Sequence, residues 1–282
     1  MRTFAKEVIA ALLRCVGWVG RGERRRDISY GRYIRMVAYH DTPPERRDGL
    51  ERQFAYLAEH YRPATWHQLV GVLNGEPWNG DKPGIMISFD DGIASNFEVA
   101  APLLDKYGLT GIFLVPTDFP DTPESEQPEW ARKATLECRV PRAISWERLR
   151  DLIRRGHKVV SHTRSHLCFG PDTPQSVIDE EIFGSRKRIV EQLGECDVFG
   201  WPRGLTEVYQ PAVYRSIIEA GYQYVLSTIP GPNDCSTHRH MIRRTVLFPS
   251  WSISLVRLVL LPWYDKSYLE KERIIRKQME MP

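Results

Sequence analysis

The chain has 282 residues, of which 42% are hydrophobic and 27% charged, and its formal net charge is only +3. This length and apolar content are enough for one large buried core and argue against a second independent domain. The small net charge, with no nucleic-acid-binding motif beside it, argues against nucleic acid as a partner.

The amino-terminal segment is basic and partly apolar. Its apolar run at residues 8–13 is interrupted by Arg14, and no small-residue cleavage site follows, which makes it a poor signal peptide. The pattern predicts a helix that either packs on the rest of the protein or rests on an acidic membrane surface. We therefore predict a helical extension at residues 1–28 and the main folded unit at residues 29–250.

A strand-like apolar run, residues 34–39, is followed directly by His40. Imidazole titrates near neutral pH and can protonate a leaving group, so His40 is a candidate acid. A purely structural role at a strand end is the alternative from the residues alone.

A second apolar run, residues 85–89, is followed by Asp90, Asp91 and Gly92. The run predicts a short buried strand, with both carboxylates just past its carboxyl end. An Asp-Asp-Gly turn by itself is also common in solvated loops.

The next part of the chain predicts a βαβ unit. Residues 97–107 are typical of a helix that ends at Gly108, and residues 111–115 of the strand that follows. Residues 118–132, rich in Pro, Glu and Asp, predict a loop that either lies near the site or has no function. Ser145 is a good amino-terminal cap for another helix.

Residues 158–161 predict a further short strand, and His162 and His166 follow it four residues apart. On one helical turn this spacing would place both imidazoles on one face. Catalytic zinc sites usually use three protein ligands, which imidazole and carboxylate can provide. Both histidines and one acid of the Asp90-Asp91 pair meet that requirement, and the other acid is left free to act as a base.

The remaining sequence continues the alternation of strands and helices. Residues 199–204 contain Trp201, Pro202 and Arg203 after an apolar stretch, and residues 221–228 predict a late strand. This alternation predicts a mainly parallel sheet with its chemistry at the carboxyl ends of the strands. Residues 253–261 are too few to span a bilayer and long enough to dock on the protein or dip into a membrane. We predict a helical extension at residues 251–282.

The five cysteines are odd in number and irregularly spaced, which favours a reducing compartment over a disulfide framework. We therefore expect a cytoplasmic protein, with peripheral contact at the inner face of the membrane as the alternative.

Two segments resemble the first and second motifs of the polysaccharide deacetylases, the NodB-homology or carbohydrate esterase 4 family. They are Ser88-Phe89-Asp90-Asp91-Gly92 and His162-Thr163-Arg164-Ser165-His166. The resemblance implies a distorted (β/α)7 barrel, with Asp90 as catalytic base. It also implies that Asp91, His162 and His166 bind a divalent metal, usually Zn²⁺ and sometimes Co²⁺ or Ni²⁺.

The resemblance extends to other parts of the chain. Tyr39-His40 is similar to the catalytic acid of a circularly permuted branch that includes the poly-N-acetylglucosamine deacetylases. Trp201-Pro202-Arg203 is similar to the third motif, which lines the groove and lends a backbone N–H to the oxyanion hole. In relatives a tyrosine usually stands where this chain has Arg203.

Gly200 stands where many family members carry an arginine that orients the base. The resemblance therefore implies that another cation takes this task, and Arg243 and Arg244 match a pair of arginines in the permuted branch. Ordinary surface charges are the alternative for both.

We predict metal-dependent removal of N-acetyl groups from hexosamines in a polysaccharide, an oligosaccharide or a lipid-linked glycan precursor. O-acetyl ester hydrolysis or deformylation of a glycan would use the same residues, and a glycan-binding pseudoenzyme is the non-catalytic alternative. Burial in the core is the favoured explanation for Trp146, Trp201 and Trp251, and stacking on sugar rings is the alternative.

Overall fold

A computed structural model describes residues 32–280, so the extension predicted at residues 1–28 lies outside the described residues. The strands are β1 Ile34–Tyr39, β2 Arg62–Pro63, β3 Gly84–Phe89, β4 Gly111–Val115, β5 Lys158–Ser161, β6 Val198–Gly200, β7 Tyr224–Leu226, β8 Pro232–Asn233 and β9 Thr245–Val246. The α-helices are α1 Arg47–His60, α2 Trp66–Leu73, α3 Ala101–Tyr107, α4 Asp118–Asp121, α5 Gln127–Lys133, α6 Trp146–Arg154, α7 Gln175–Leu193, α8 Pro211–Glu219, α9 Ile253–Val259, α10 Pro262–Lys266 and α11 Leu269–Gln278.

The strands form one curled sheet in the order β7-β6-β5-β4-β3-β1-β8. The pairings from β7 to β1 are all parallel, and only β8 runs antiparallel to its neighbour β1. The short segment 242–246 bridges the two sides of the curl: Ile242 pairs with Leu226 of β7, and β9 pairs with β1. The predicted α/β barrel architecture is therefore confirmed, and the permuted order of its elements stays a prediction.

The strands predicted from apolar runs are present, because these runs are buried from both sides. Every residue of β1, β3 and β4 is buried, and parallel strands covered on both faces read as continuous apolar runs. Ser145 caps α6 by accepting a hydrogen bond from the Arg148 amide, as predicted. Helix α3 ends at Gly108, whose φ of 62° suits glycine.

The loop predicted at residues 118–132 is wrong, because this segment forms the two helices α4 and α5. Pro128 lies in the first turn of α5, where a missing N–H costs nothing, so its proline does not exclude a helix. The rings of Phe119 and Trp130 stack with their centroids 4.6 Å apart and hold the two helices together. The amino-acid composition of the segment alone could not predict this packing of Phe119 against Trp130.

The carboxyl-terminal helices pack against the barrel. Helix α9 buries Leu255, Val256 and Val259 in the same core cluster as residues of α1. In α10, Asp265 accepts two hydrogen bonds, at 3.1 and 2.6 Å, from the buried Arg35 guanidinium of β1. The apolar stretch 253–261 thus docks on the protein. Within residues 32–280, no helix has both the length and the apolar character needed to cross a membrane.

Candidate active site

The polar side chains singled out in the sequence converge at the carboxyl ends of the parallel strands. His40 follows β1, Asp90 and Asp91 follow β3, His162 follows β5 and Arg203 lies three residues beyond β6. His40, Asp91, His162 and Arg203 line one cleft, and Asp90 lies directly behind its wall, beside His40. Barrel enzymes of this architecture place their chemistry at this end of the strands.

Three ligand atoms meet at the bottom of this cleft. The Nε2 atoms of His162 and His166 lie 3.5 and 3.3 Å from Oδ1 of Asp91. Nδ1 of His162 is 2.8 Å from the Gly200 carbonyl oxygen, and Nδ1 of His166 is 3.0 Å from that of Ala134. A carbonyl oxygen can only accept, so each Nδ1 donates, and the lone pair of each Nε2 is left to face Asp91.

This donor set fits a divalent cation. Oδ1 of Asp91 is buried and has no hydrogen-bond partner among the described residues, an arrangement that is costly without a positive charge nearby. Burial raises the pKa of Asp91, but the two imidazoles outweigh it and lower that pKa well below its ordinary value. Burial lowers the pKa of His166, yet Asp91 more than reverses this and raises it. The site therefore attracts positive charge, and imidazole with carboxylate is a donor set that suits zinc.

The helical turn expected for residues 162–166 is wrong. His162 directly follows β5, and the residues after it form an irregular loop. Thr163 and His166 have φ angles of 65° and 62°, in the left-handed region that non-glycine residues rarely adopt. Asp91 shares this feature, with a φ of 71°. Two of the three ligands are therefore held in an uncommon backbone conformation, which is typical of functional sites.

Asp90 lies beside the three candidate metal ligands, and its carboxylate is paired with a buried guanidinium. Nη1 of Arg244 donates to Oδ1 of Asp90 at 2.5 Å, and the two side chains are only 1% and 4% exposed. Burial raises the pKa of Asp90, but Arg244, His40 and His162 together lower it below its ordinary value. Asp90 is thus kept ionised at neutral pH.

The two arginines predicted to replace the missing cation are separated by the structure. Arg244 lies in the segment that joins β7 to β1, and its Nε also donates to the Ser227 carbonyl oxygen at 2.9 Å. Arg243 points the other way and forms an ion pair with Glu272 of α11 at 2.8 Å. Only Arg244 contacts the candidate base.

Gly200 has no room for the side chain that many relatives carry there. A Cβ atom at this position would lie 2.2 Å from Cδ2 of Leu114, far inside contact distance. Its carbonyl group instead accepts the hydrogen bond from His162. Glycine at this position therefore lets β6 approach β4 and orient a ligand histidine.

His40 lies at the mouth of the cleft. Its Nε2 is 3.9 Å from Oδ2 of Asp90, and its side chain is 38% exposed. This separation is longer than a hydrogen bond, and it leaves the imidazole accessible to an incoming substrate.

The three residues of the third motif lie in different environments. Trp201 is 1% exposed and packs in the core beside Phe199 and Tyr209, so the groove position predicted for its side chain is wrong. Pro202 is also buried. Arg203 does line the cleft, with a φ of 64°, and its guanidinium donates to the Thr135 carbonyl oxygen at 2.8 Å. Within the described part of the chain, the Arg203 amide has no acceptor, which suits an oxyanion donor.

Six further residues line the cleft, and none of them was predicted from the sequence. They are Asp41, Thr135, Glu137, Leu247, Phe248 and Pro249. Asp41 accepts hydrogen bonds from Ser95 Oγ at 2.7 Å and from the Arg139 amide at 2.8 Å, and so ties the segment after α5 across the cleft. The run Asp41-Thr42-Pro43-Pro44 directly after His40 was a signal for a fixed turn there.

Trp146 and Trp251 do not line the cleft. The Trp146 indole donates to Asp121 at 2.8 Å on the outer side of the barrel, and Trp251 packs against Phe248 with ring centroids 5.1 Å apart. Stacking on sugar rings, the less favoured explanation for these tryptophans, is therefore not supported at this cleft. Phe248 is the aromatic side chain that the cleft presents.

The chain belongs to the polysaccharide deacetylase family, whose family model matches residues 78–225. A Bacillus subtilis protein, YxkH, whose name places it among the polysaccharide deacetylases, is 23% identical over 171 residues. That match covers 60% of this chain and 53% of YxkH, so the chain spans about half the length of this relative.

Solved structures with similar folds include three deacetylase-related proteins. A de-N-acetylase from Aggregatibacter actinomycetemcomitans has a TM-score of 0.65 at 17% identity, covering 80% of this chain and 98% of its own. The Streptococcus pyogenes deacetylase PplD, solved with acetate, has a TM-score of 0.64 at 16% identity, covering 82% and 99%. IcaB from Ammonifex degensii has a TM-score of 0.64 at 18% identity, covering 83% and 98%. At these identities the likeness supports the fold.

Proposed function

We propose that this protein is a metal-dependent deacetylase that hydrolyses N-acetyl groups on hexosamines of a glycan or lipid-linked glycan precursor. The observation that carries the proposal is the buried Asp90, ionised by Arg244, beside the convergent Asp91, His162 and His166. Membership of the polysaccharide deacetylase family supports an acetylated polysaccharide or a related sugar as the substrate.

The proposed metal site is Asp91, His162 and His166, and Zn²⁺ is the ion that best suits two imidazoles and one carboxylate, with Co²⁺ or Ni²⁺ as substitutes. When bound, the ion would polarise the acyl oxygen and lower the pKa of a water in the cleft. Each histidine is already fixed in the tautomer that leaves Nε2 free for this task.

Asp90 takes the proton from the attacking water in this proposal. Arg244 favours this role because it keeps the carboxylate ionised and fixes Oδ1, while Oδ2 faces His40, which lines the cleft. A positioned base of this kind contributes roughly 10²–10⁴-fold to the rate.

The negative charge that develops on the acyl oxygen needs a fixed donor, and the free Arg203 amide at the edge of the cleft is suited to that task. His40 then protonates the amine as it leaves, since it is accessible and lies on the Asp90 side of the cleft. Replacing the usual tyrosine by Arg203 leaves a main-chain donor in place.

The proposal is tested by incubating zinc-loaded protein with a panel of N-acetylated, O-acetylated and N-formylated sugars, free and lipid-linked, and measuring the released acid. We expect acetate from an N-acetylhexosamine substrate. Release only from esters or only of formate would replace the proposal with an esterase or a deformylase. Tight glycan binding with no release from any substrate would point to a pseudoenzyme.

We also propose that the protein is cytoplasmic and that residues 29–250 form the catalytic barrel. Fractionation of native cells tests the location, and limited proteolysis of the purified chain tests the bounds of the barrel. Native protein found only in a secreted or periplasmic fraction would contradict the first.

A further inference from the structure

Glu181, on α7, is a buried carboxylate outside the candidate catalytic set. The residue is 7% exposed, and no side-chain nitrogen of a Lys, Arg or His lies within ion-pair distance of its carboxylate among residues 32–280. A charge that is buried without a counter-ion must be compensated by hydrogen bonds. The hydrogen-bond partners of Glu181 therefore indicate what it does.

All of those partners lie in the loop between the two ligand histidines. Oε2 accepts hydrogen bonds from the amides of Arg164 at 2.9 Å and Ser165 at 2.8 Å, and Oε1 accepts one from Ser165 Oγ at 2.5 Å. Two successive main-chain N–H groups on one carboxylate oxygen fix the backbone at that point. The next residue is His166, held in its left-handed conformation.

The same helix face also holds the start of the loop. One turn after Glu181, Ser185 accepts a hydrogen bond at 2.9 Å from Ser161, the residue directly before His162. From the opposite side, the amides of Thr117 and Asp118 donate to the carbonyl oxygens of Thr163 and Arg164, at 3.2 and 2.9 Å. The loop is thus held by hydrogen bonds from both sides. Among the described residues, Glu181 is the only buried charged side chain that forms these hydrogen bonds.

We propose that Glu181 is a positioning residue for the metal site: it holds the 162–166 loop so that Nε2 of His166 faces Asp91. This inference rests on the proposed function, because it presumes that these residues bind a metal ion. Glu181 itself touches neither substrate nor the ligand atoms. Residues that hold ligands in this way typically contribute about 10–100-fold to metal affinity.

The chain offers a matched control in the neighbouring residue. Glu180 contacts the same loop, but through the Arg164 guanidinium on the surface, where Glu180 is 63% exposed. E181A removes three hydrogen bonds from the loop, whereas E180Q removes only an exposed ion pair. E181Q keeps one oxygen for the two amides, and its NH2 group can donate to Ser165 Oγ.

The test measures Zn²⁺ affinity by competition with a chelator, and the visible spectrum of the Co²⁺ form, for chelator-stripped wild type, E181A, E181Q and E180Q. We expect E181A to bind Zn²⁺ about 10–100-fold more weakly and to show an altered Co²⁺ spectrum. The Zn²⁺ affinity of E181Q should stay within about threefold of the wild-type value, and that of E180Q should equal the wild-type value. Circular dichroism melting of the metal-free proteins identifies any variant that fails to fold.

Three results would overturn the inference. One is a folded E181A with wild-type Zn²⁺ affinity and spectrum, even if its melting temperature is lower, since that is the signature of a purely structural residue. The second is an equal loss in E180Q, and the third is an equal loss in E181Q. If wild type itself binds no Zn²⁺ or Co²⁺, the proposed metal site fails first, and the two failures are thereby told apart.

Discussion

Replacing Arg244 by methionine should expose how much the site depends on its buried charge pair. Asp90 is only 4% exposed, and the substitution removes the guanidinium that lies 2.5 Å from its carboxylate. The methionine side chain roughly fills the space of the arginine stem. Breaking a buried ion pair by removing one partner costs about 3–5 kcal/mol. R244M should therefore lower the free energy of unfolding by about this amount, and it should lower kcat because Asp90 loses its orientation.

A double-mutant cycle with D90N separates the pair from other effects of the arginine. In D90N the carboxylate that pairs with Arg244 is gone, so adding R244M should cost much less than it does in wild type. Urea unfolding of the four metal-free proteins should give a coupling energy of about 3 kcal/mol, equivalent to roughly a hundredfold in an equilibrium constant. The matched control is R243M, which breaks the Arg243–Glu272 pair away from the cleft and should leave kcat unchanged. A coupling energy near zero, or an equal loss of kcat in R243M, would refute the reasoning.

Three further substitutions test other parts of the account. H40Q should slow hydrolysis of an N-acetyl amide by about 10²–10⁴-fold but affect an aryl acetate far less, since a phenolate leaves without a proton; steady-state kinetics on both substrates measures this. G200A should cost about 1–3 kcal/mol in urea unfolding, because the new methyl group meets Leu114, and L114A should recover part of it. D265A should cost about 3–5 kcal/mol in the same assay, because it leaves Arg35 buried without its carboxylate.

Each of these substitutions has an informative control or counter-result. Equal slowing of amide and ester by H40Q would assign His40 a structural role. A G200A protein as stable as wild type would mean that β6 moves away from β4 freely. For D265A, the control is E270Q, whose pair with Arg273 is 65% and 69% exposed and should change stability by less than about 1 kcal/mol.

Much of the fold could be predicted because buried parallel strands leave a simple signature. The runs at residues 34–39, 85–89, 111–115 and 158–161 are mainly apolar, and each is followed by a polar residue or a turn. The carboxyl ends of such strands meet on one side of a barrel, so the position of Asp90, Asp91 and His162 followed from the order of the elements.

Local backbone conformation was harder to predict. The spacing of His162 and His166 matched a helical turn, but the left-handed φ angles of Thr163 and His166 bring the imidazoles together by another route. Periodicity describes repeating conformations, and a loop of isolated left-handed residues has none. The role of Glu181 could not be predicted for a similar reason, because an acidic residue in an amphipathic helix pattern is expected on the solvated face.

Contacts between residues far apart in the chain were the other limit. Arg243 and Arg244 were equal candidates because neighbouring residues differ only in the direction of their side chains. Asp90 and Arg244 are 154 positions apart, and only closure of the curled sheet by the 242–246 segment decides which arginine reaches the carboxylate.

The most direct test of the central claim measures bound metal and acetate release together in wild type, D90N and H162A. The account predicts about one divalent ion per chain and acetate release for wild type, a bound ion without release for D90N, and loss of both for H162A. Acetate release by D90N at the wild-type rate, or full metal binding by H162A, would contradict it.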